Sequence, residues 1–209
     1  DLLPPGAGDY NLNVHIDRCF DCKGHDPVRL YVDGKLVLDD HGKDYDLNVP
    51  LHFADTRPRP LKLELRHSGE DQGIRLQWNA PADAQLREAK EAVAKADVVV
   101  AVVGLSPDVE GEELQVSVPG FSGGDRTDLA LPATQQKLLE AAKASGKPLV
   151  VVLTSGSAVA LNWAKQHADA IVAAWYPGEE GGTAIADVLA GNYNPAGRLP
   201  VTFYASADD

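Results

Sequence analysis

The chain has 209 residues, 44% apolar and 24% charged, enough for one large or two small domains with true cores. Its formal net charge of −12, spread over both halves, repels polyphosphate backbones and argues against nucleic acid as a partner. No apolar stretch approaches the ~20 residues that cross a bilayer, so no membrane partner is expected either.

The chain opens on Asp1-Leu2-Leu3-Pro4-Pro5-Gly6, without a basic segment before an apolar one, and Met is absent throughout. The expectation is a piece of a longer polypeptide. Residues 1–80 read as all-β. Polar and apolar residues alternate from Tyr10 to Ile16 and again from Leu61 to Arg66. Val28 to Val32, then Asp33-Gly34, then Leu36 to Leu38 predict a hairpin around an Asp-Gly turn. Gly73 to Trp78 reads as a last strand, and Pro58 and Pro60 mark a loop or an edge. Sheet packed on sheet is the expected architecture. Cys19 and Cys22 stand as a lone C-x-x-C, weak as a zinc signal and lacking the context of a redox motif, so a local disulfide or two free thiols is expected.

After Asn79-Ala80-Pro81 the period changes. Leu86, Ala89, Val93 and Ala96 recur at helical spacing behind Asp83 as N-cap. There follow a strand over 97–103, a helix from Pro132 to Ser145-Gly146, a strand over 149–153, a helix over 158–167, a strand from Ala170 to Trp175 and a helix from about Gly182 to Ala190. Alternating helices and uniformly apolar strands predict an α/β domain over 81–209, a mostly parallel sheet with helices on both faces.

Parallel strands deliver their following loops to one rim, the edge where open α/β folds bind ligands. The first loop holds Val109-Glu110-Gly111-Glu112-Glu113 and then Gly124-Asp125-Arg126. The second is Thr154-Ser155-Gly156-Ser157, and the third is Trp175-Tyr176-Pro177-Gly178-Glu179-Glu180. Neutral-ligand, acid-lined and aromatic is the profile of a carbohydrate site. Glycoside hydrolysis commonly uses two carboxyl groups, and partial dehydration of a loop Glu can raise its pKa enough to keep it protonated. A Glu-rich loop is nonetheless most often just solvated. The Thr154–Ser157 turn could cradle an anion with its backbone N–H groups, although a tight turn capping a helix is the plainer reading. Trp163 reads as core, and Trp78 as core or a domain contact. The six His residues lack ligand spacing, so no metal is expected, and neither a phosphate loop nor a nucleophile elbow is present.

These residues are also familiar as a set. Ala96-Asp97-Val98 through Val103-Gly104-Leu105-Ser106, Glu110-Gly111-Glu112, Gly124-Asp125-Arg126-Thr127, Leu131-Pro132, Gly146-Lys147-Pro148, Trp175 through Gly182 and Gly197-Arg198-Leu199-Pro200 resemble the C-terminal α/β sandwich domain of glycoside hydrolase family 3. Residues 6–80, with Arg29 to Gly34 and Gly73 to Trp78, resemble part of the protective-antigen-type β-sandwich often inserted in that domain.

The resemblance implies a retaining exo-β-glycosidase, a β-glucosidase or β-xylosidase, with a carbohydrate substrate and no cofactor. It implies an N-terminal TIM barrel bearing the nucleophilic Asp and a C-terminal domain of the same polypeptide, both outside this chain, and a general acid/base Glu on the acidic loop. Glu110 matches that Glu best by its distance from the preceding strand, and Glu112 is the runner-up because the loop is long here. Asp125 and Arg126 are expected to brace the loop through a charge pair, or to bind substrate. The chain alone is expected to be inactive, and a periplasmic or secreted location is favoured. The competing readings are a non-catalytic carbohydrate-binding or interaction module and, less well supported, a nucleotide-binding domain.

Overall fold

A computed structural model describes residues 1–17, 26–42, 44–66, 73–111 and 117–209. Cys19, Cys22 and Glu112 therefore lie outside the described residues. Contacts divide the chain into two units, 1–88 and 89–209.

The first unit holds β1 (Gly8–Ile16), β2 (Val28–Val32), β3 (Lys35–Asp40), β4 (Asp46–Phe53), β5 (Leu61–Leu65) and β6 (Ile74–Asn79). They form two antiparallel three-stranded sheets, ordered β4-β1-β6 and β3-β2-β5. The alternation in β1 has its expected cause, since Tyr10, Leu12, Val14 and Ile16 all point inward and are buried. Leu12, Val14 and Ile16 cluster with Val28 and Leu30 of β2 and with Leu47 and Val49 of β4, and Tyr10 clusters with Val32 and Phe53. The β2–β3 hairpin turns through Asp33 at φ 52° and Gly34 at φ 73°, the paired positive φ values of a two-residue turn whose twist suits the strands. Trp78 is half-buried against the core of this unit, stacked on Tyr10 at 5.0 Å.

Strand β4 is absent from the reading of the sequence. Its inward face, Leu47, Val49, Leu51 and Phe53, alternates without a break, and Pro50 falls on the exposed face of a strand at a sheet edge, where its missing N–H is tolerated. Helix α1 (Ala82–Ala94) follows, and the division between the two units falls inside it.

The second unit contains β7 (Val99–Gly104), the two-residue strands β8 (Ser117–Val118), β9 (Phe121–Ser122) and β10 (Asp125–Arg126), then α2 (Ala133–Lys143), β11 (Leu149–Thr154), α3 (Asn162–His167), β12 (Ala170–Ala173) and α4 (Gly181–Ala190). Strands β7, β11 and β12 form the expected parallel sheet, in that spatial order. Its core face presents Ala101 and Val103 from β7 with Leu149, Val151 and Leu153 from β11. Leu139 and Ala142 of α2 and Ala164 of α3 pack into the same cluster, with Trp163 against it.

The opposite face is covered unevenly. Val152 of the central strand is buried, but its β7 neighbour Val102 is 63% exposed and Val100 is 46% exposed. The expected cover on that face is thus incomplete along β7.

Candidate active site

The site begins where β7 ends. Gly104 has φ 138°, and a Cβ there would strike the backbone of Thr154, so only glycine lets β7 lie this close to the end of β11. Leu105 N then donates to Thr154 O at 2.8 Å. The Gln135 side chain on α2 completes the exit. Its Nε2 donates to Gly104 O at 2.8 Å and its Oε1 accepts from Gly104 N at 2.7 Å.

Past Leu105 the chain makes one tight turn, in which Val109 N and Glu110 N both donate to Ser106 O at 3.0 and 3.2 Å. The turn aims Glu110 back across the rim. Gly156 N donates to Glu110 Oε2 at 2.8 Å, the Tyr176 hydroxyl donates to the same oxygen, and Ser157 Oγ donates to Oε1. Arg126 Nη1 lies 4.0 Å from Oε1, and the two side chains are only 12% and 8% exposed.

One carboxylate therefore ties together the loops that follow β7, β11 and β12. The Thr154–Ser157 turn does cradle an anion, but the anion is the chain's own Glu110, and α3 starts only at Asn162. Gly156 leaves no room for a side chain, since a Cβ would meet Tyr176 Cε2 at 2.8 Å and Glu110 Oε2 at 3.3 Å. Trp175 sits at φ 56°, an uncommon conformation for a bulky residue, and this reversal precedes the tyrosine that reaches Glu110. Its ring packs edge-on against Phe203 at 5.8 Å, while Tyr176 reaches Glu110.

Burial pushes the Glu110 carboxyl upward, but hydrogen bonds from Ser157, Tyr176 and Gly156, aided by the Arg126 charge, outweigh it. The net result is a carboxyl below the usual glutamate range. Burial first, then the Glu110 hydrogen bond and charge, push the Tyr176 hydroxyl well above the usual tyrosine range. Both Glu110 oxygens are thus engaged by donors that favour the ionised form.

Arg126 braces the loop differently from the expected charge pair. It donates to Asp128 O at 2.6 and 2.9 Å and to Ser157 Oγ at 3.0 Å, and it lies over the Phe121 ring at 5.3 Å. Among the described residues no ion pair joins it to Asp125, which is exposed and pairs with Ser122 in the β9–β10 ladder. A cleft of about 620 Å³ opens beside the loop, lined by Gly104, Ser106, Val109, Phe121, Gln135 and Thr154 among others. The described residues contain no cluster of three or more potential metal ligands, and no helix among them is long and apolar enough to cross a membrane.

A parallel sheet flanked by helices, with a carboxylate-bearing loop at its strand ends beside a cleft, defines an α/β domain. Residues 23–209 match the glycosyl hydrolase family 3 C-terminal domain, and the chain belongs to that family. It is similar to a xylan 1,4-β-xylosidase of Xylanibacter ruminicola, with 38% identity over 95% of this chain and 22% of that protein. It is also similar to a periplasmic β-glucosidase of Salmonella typhimurium, with 44% identity over 64% of this chain and 16% of that protein. A crystal structure of a β-glucosidase from Kluyveromyces marxianus in complex with glucose superposes with a TM-score of 0.64, at 25% identity over 98% of this chain and 24% of that one. The chain thus spans about a fifth of the length of these relatives.

Proposed function

We propose that this chain is part of a retaining exo-β-glycosidase that hydrolyses terminal β-glucosyl or β-xylosyl residues, to which it contributes the general acid/base. In this reading residues 1–80 are a protective-antigen-type β-sandwich, N-terminally incomplete, and residues 81–209 are part of the family's α/β domain. The nucleophilic Asp lies on a TIM barrel outside the chain, and the whole enzyme works in the periplasm or outside the cell.

The proton role falls to Glu112 and the anchoring role to Glu110. The observation that carries this division is the grip of three donors on both oxygens of Glu110. A proton donor needs an oxygen free to face the leaving group, and Glu112 is the other candidate carboxyl for that role in the sequence. In the first half of a double displacement, the acid gives its proton to the departing glycosidic oxygen as the nucleophile bonds to the anomeric carbon. In the second half, the resulting carboxylate takes a proton from water as that water attacks the glycosyl-enzyme ester and frees the sugar.

The test is made in the full-length enzyme with aryl glycosides of graded leaving-group ability. Glu112→Gln is expected to slow poor leaving groups far more than activated ones, with partial rescue by azide. Glu110→Gln is expected to lower rates evenly across the series, because the loop loosens without losing its acid. The leaving-group signature in Glu110→Gln alone would reverse the assignment. Its absence from both variants would remove the loop from the chemistry and favour a non-catalytic carbohydrate-binding module.

A further inference from the structure

We propose that Gln135 is a positioning residue for the acidic loop, fixing the direction in which the chain leaves β7. The inference rests on the reading above, in which that loop delivers the acid/base. The carrying observation is the reciprocal pair of hydrogen bonds between one side-chain amide and both polar backbone groups of Gly104. An amide so placed acts as a neighbouring strand would, extending the ladder by one residue on the side away from β11.

Gly104 is buried and is the last residue of β7, paired through Thr154 with β11. Gln135 comes from α2, 31 residues away, and α2 is seated in the core by Leu139 and Ala142. The loop's departure is thereby referenced to a packed helix as well as to the sheet. At its far side the loop is held again, by Glu110 on the turns after β11 and β12. Only residues 105–109 lie between the two fixed points. Gln135 makes no hydrogen bond to Glu110 and its action on the chemistry is through the backbone alone. A displacement of about 1 Å at a reacting group can cost ~100-fold in rate, so a change in the direction set at Gly104 is expected to register in kcat.

A glutamate in place of Gln135 has the same shape but a conditional donor. When protonated it can donate to Gly104 O and accept from Gly104 N, and when ionised it can only accept and repels the carbonyl. In the full-length enzyme, Gln135→Ala is expected to lower kcat on nitrophenyl β-glucoside or β-xyloside about ten- to a hundredfold, with KM moved by less than about threefold. The activity of Gln135→Glu relative to the unmodified enzyme should rise as pH falls. Amide hydrogen exchange should quicken over Leu105–Glu110 in Gln135→Ala and stay unchanged in β11.

Unchanged kcat in Gln135→Ala, a rise in KM alone, a Gln135→Glu profile parallel to the unmodified enzyme, or exchange quickened throughout β11 would each overturn the proposal. If Glu112→Gln in the same assay shows the leaving-group signature while Gln135→Ala behaves normally, the functional reading stands and the positioning role falls. If neither loop glutamate affects leaving-group dependence, the functional reading fails and the positioning role fails with it.

Discussion

Glu110 illustrates how hydrogen-bond donors can reverse the effect of burial. A carboxyl removed from water ordinarily climbs toward neutrality, which is the property a general acid needs. Here three donors and a guanidinium pull the other way, and the group stays charged. Since the folded pKa lies below that of the unfolded chain, near 4.3, the resulting stabilisation is fully present above that pH. It is lost as pH falls through the folded value. Urea denaturation of the 209-residue chain should find Glu110→Gln less stable than the parent near neutrality, with the gap closing in acid. A gap independent of pH would show that the carboxylate is not held ionised. Tyr176→Phe removes one charge-assisted bond and should cost about 1.5–3 kcal/mol, with the same pH dependence.

At the scale of elements, two glycines with positive φ have different reasons to be there. Gly34 turns a hairpin at φ 73° with open space around it, while Gly104 leaves β7 with the Thr154 backbone where a side chain would sit. Gly34→Ala should therefore cost only about 1 kcal/mol of backbone strain. Gly104→Ala should cost several-fold more, because strand β7 would have to move off β11, and the loop it launches would shift with it. Comparable thermal melting of the two variants would mean that β7 and β11 are not held this close.

The contrast also marks how far the sequence can be read. The Asp33-Gly34 turn is local chemistry and was legible, as were the alternation of β1 and the valine runs of β7 and β11. Strand β4 was not, although Leu47, Val49, Leu51 and Phe53 alternate, because a proline among them argues against a strand and only its place at a sheet edge excuses it. The acidic loop was legible as a place but not as a mechanism. Glu110 finds Ser157 and Tyr176 at separations of 47 and 66 residues, distances at which no spacing rule operates. Gln135 had no signal at all, being one polar residue in the first turn of a helix. The nearest hint was Gly104 itself, a glycine closing a valine strand just where a ligand-binding rim begins.

For the molecule as a whole, the chain carries one side of a proposed site and about a fifth of its relatives' length. The isolated 209 residues are accordingly expected to give no turnover of nitrophenyl β-glucoside or β-xyloside. Robust hydrolysis would place both catalytic carboxyls here and overturn the division of labour. The bare valines of β7 add a second reason for caution in handling this chain on its own. Among the described residues β7 is an edge strand of its parallel sheet, and Val100 and Val102 stand exposed on its face. An exposed apolar edge strand is a template for pairing with another chain, so self-association of the isolated chain is expected. Size-exclusion chromatography should show higher-order species that Val102→Lys disperses. The strand that launches the site is thus also where the isolated chain is stickiest.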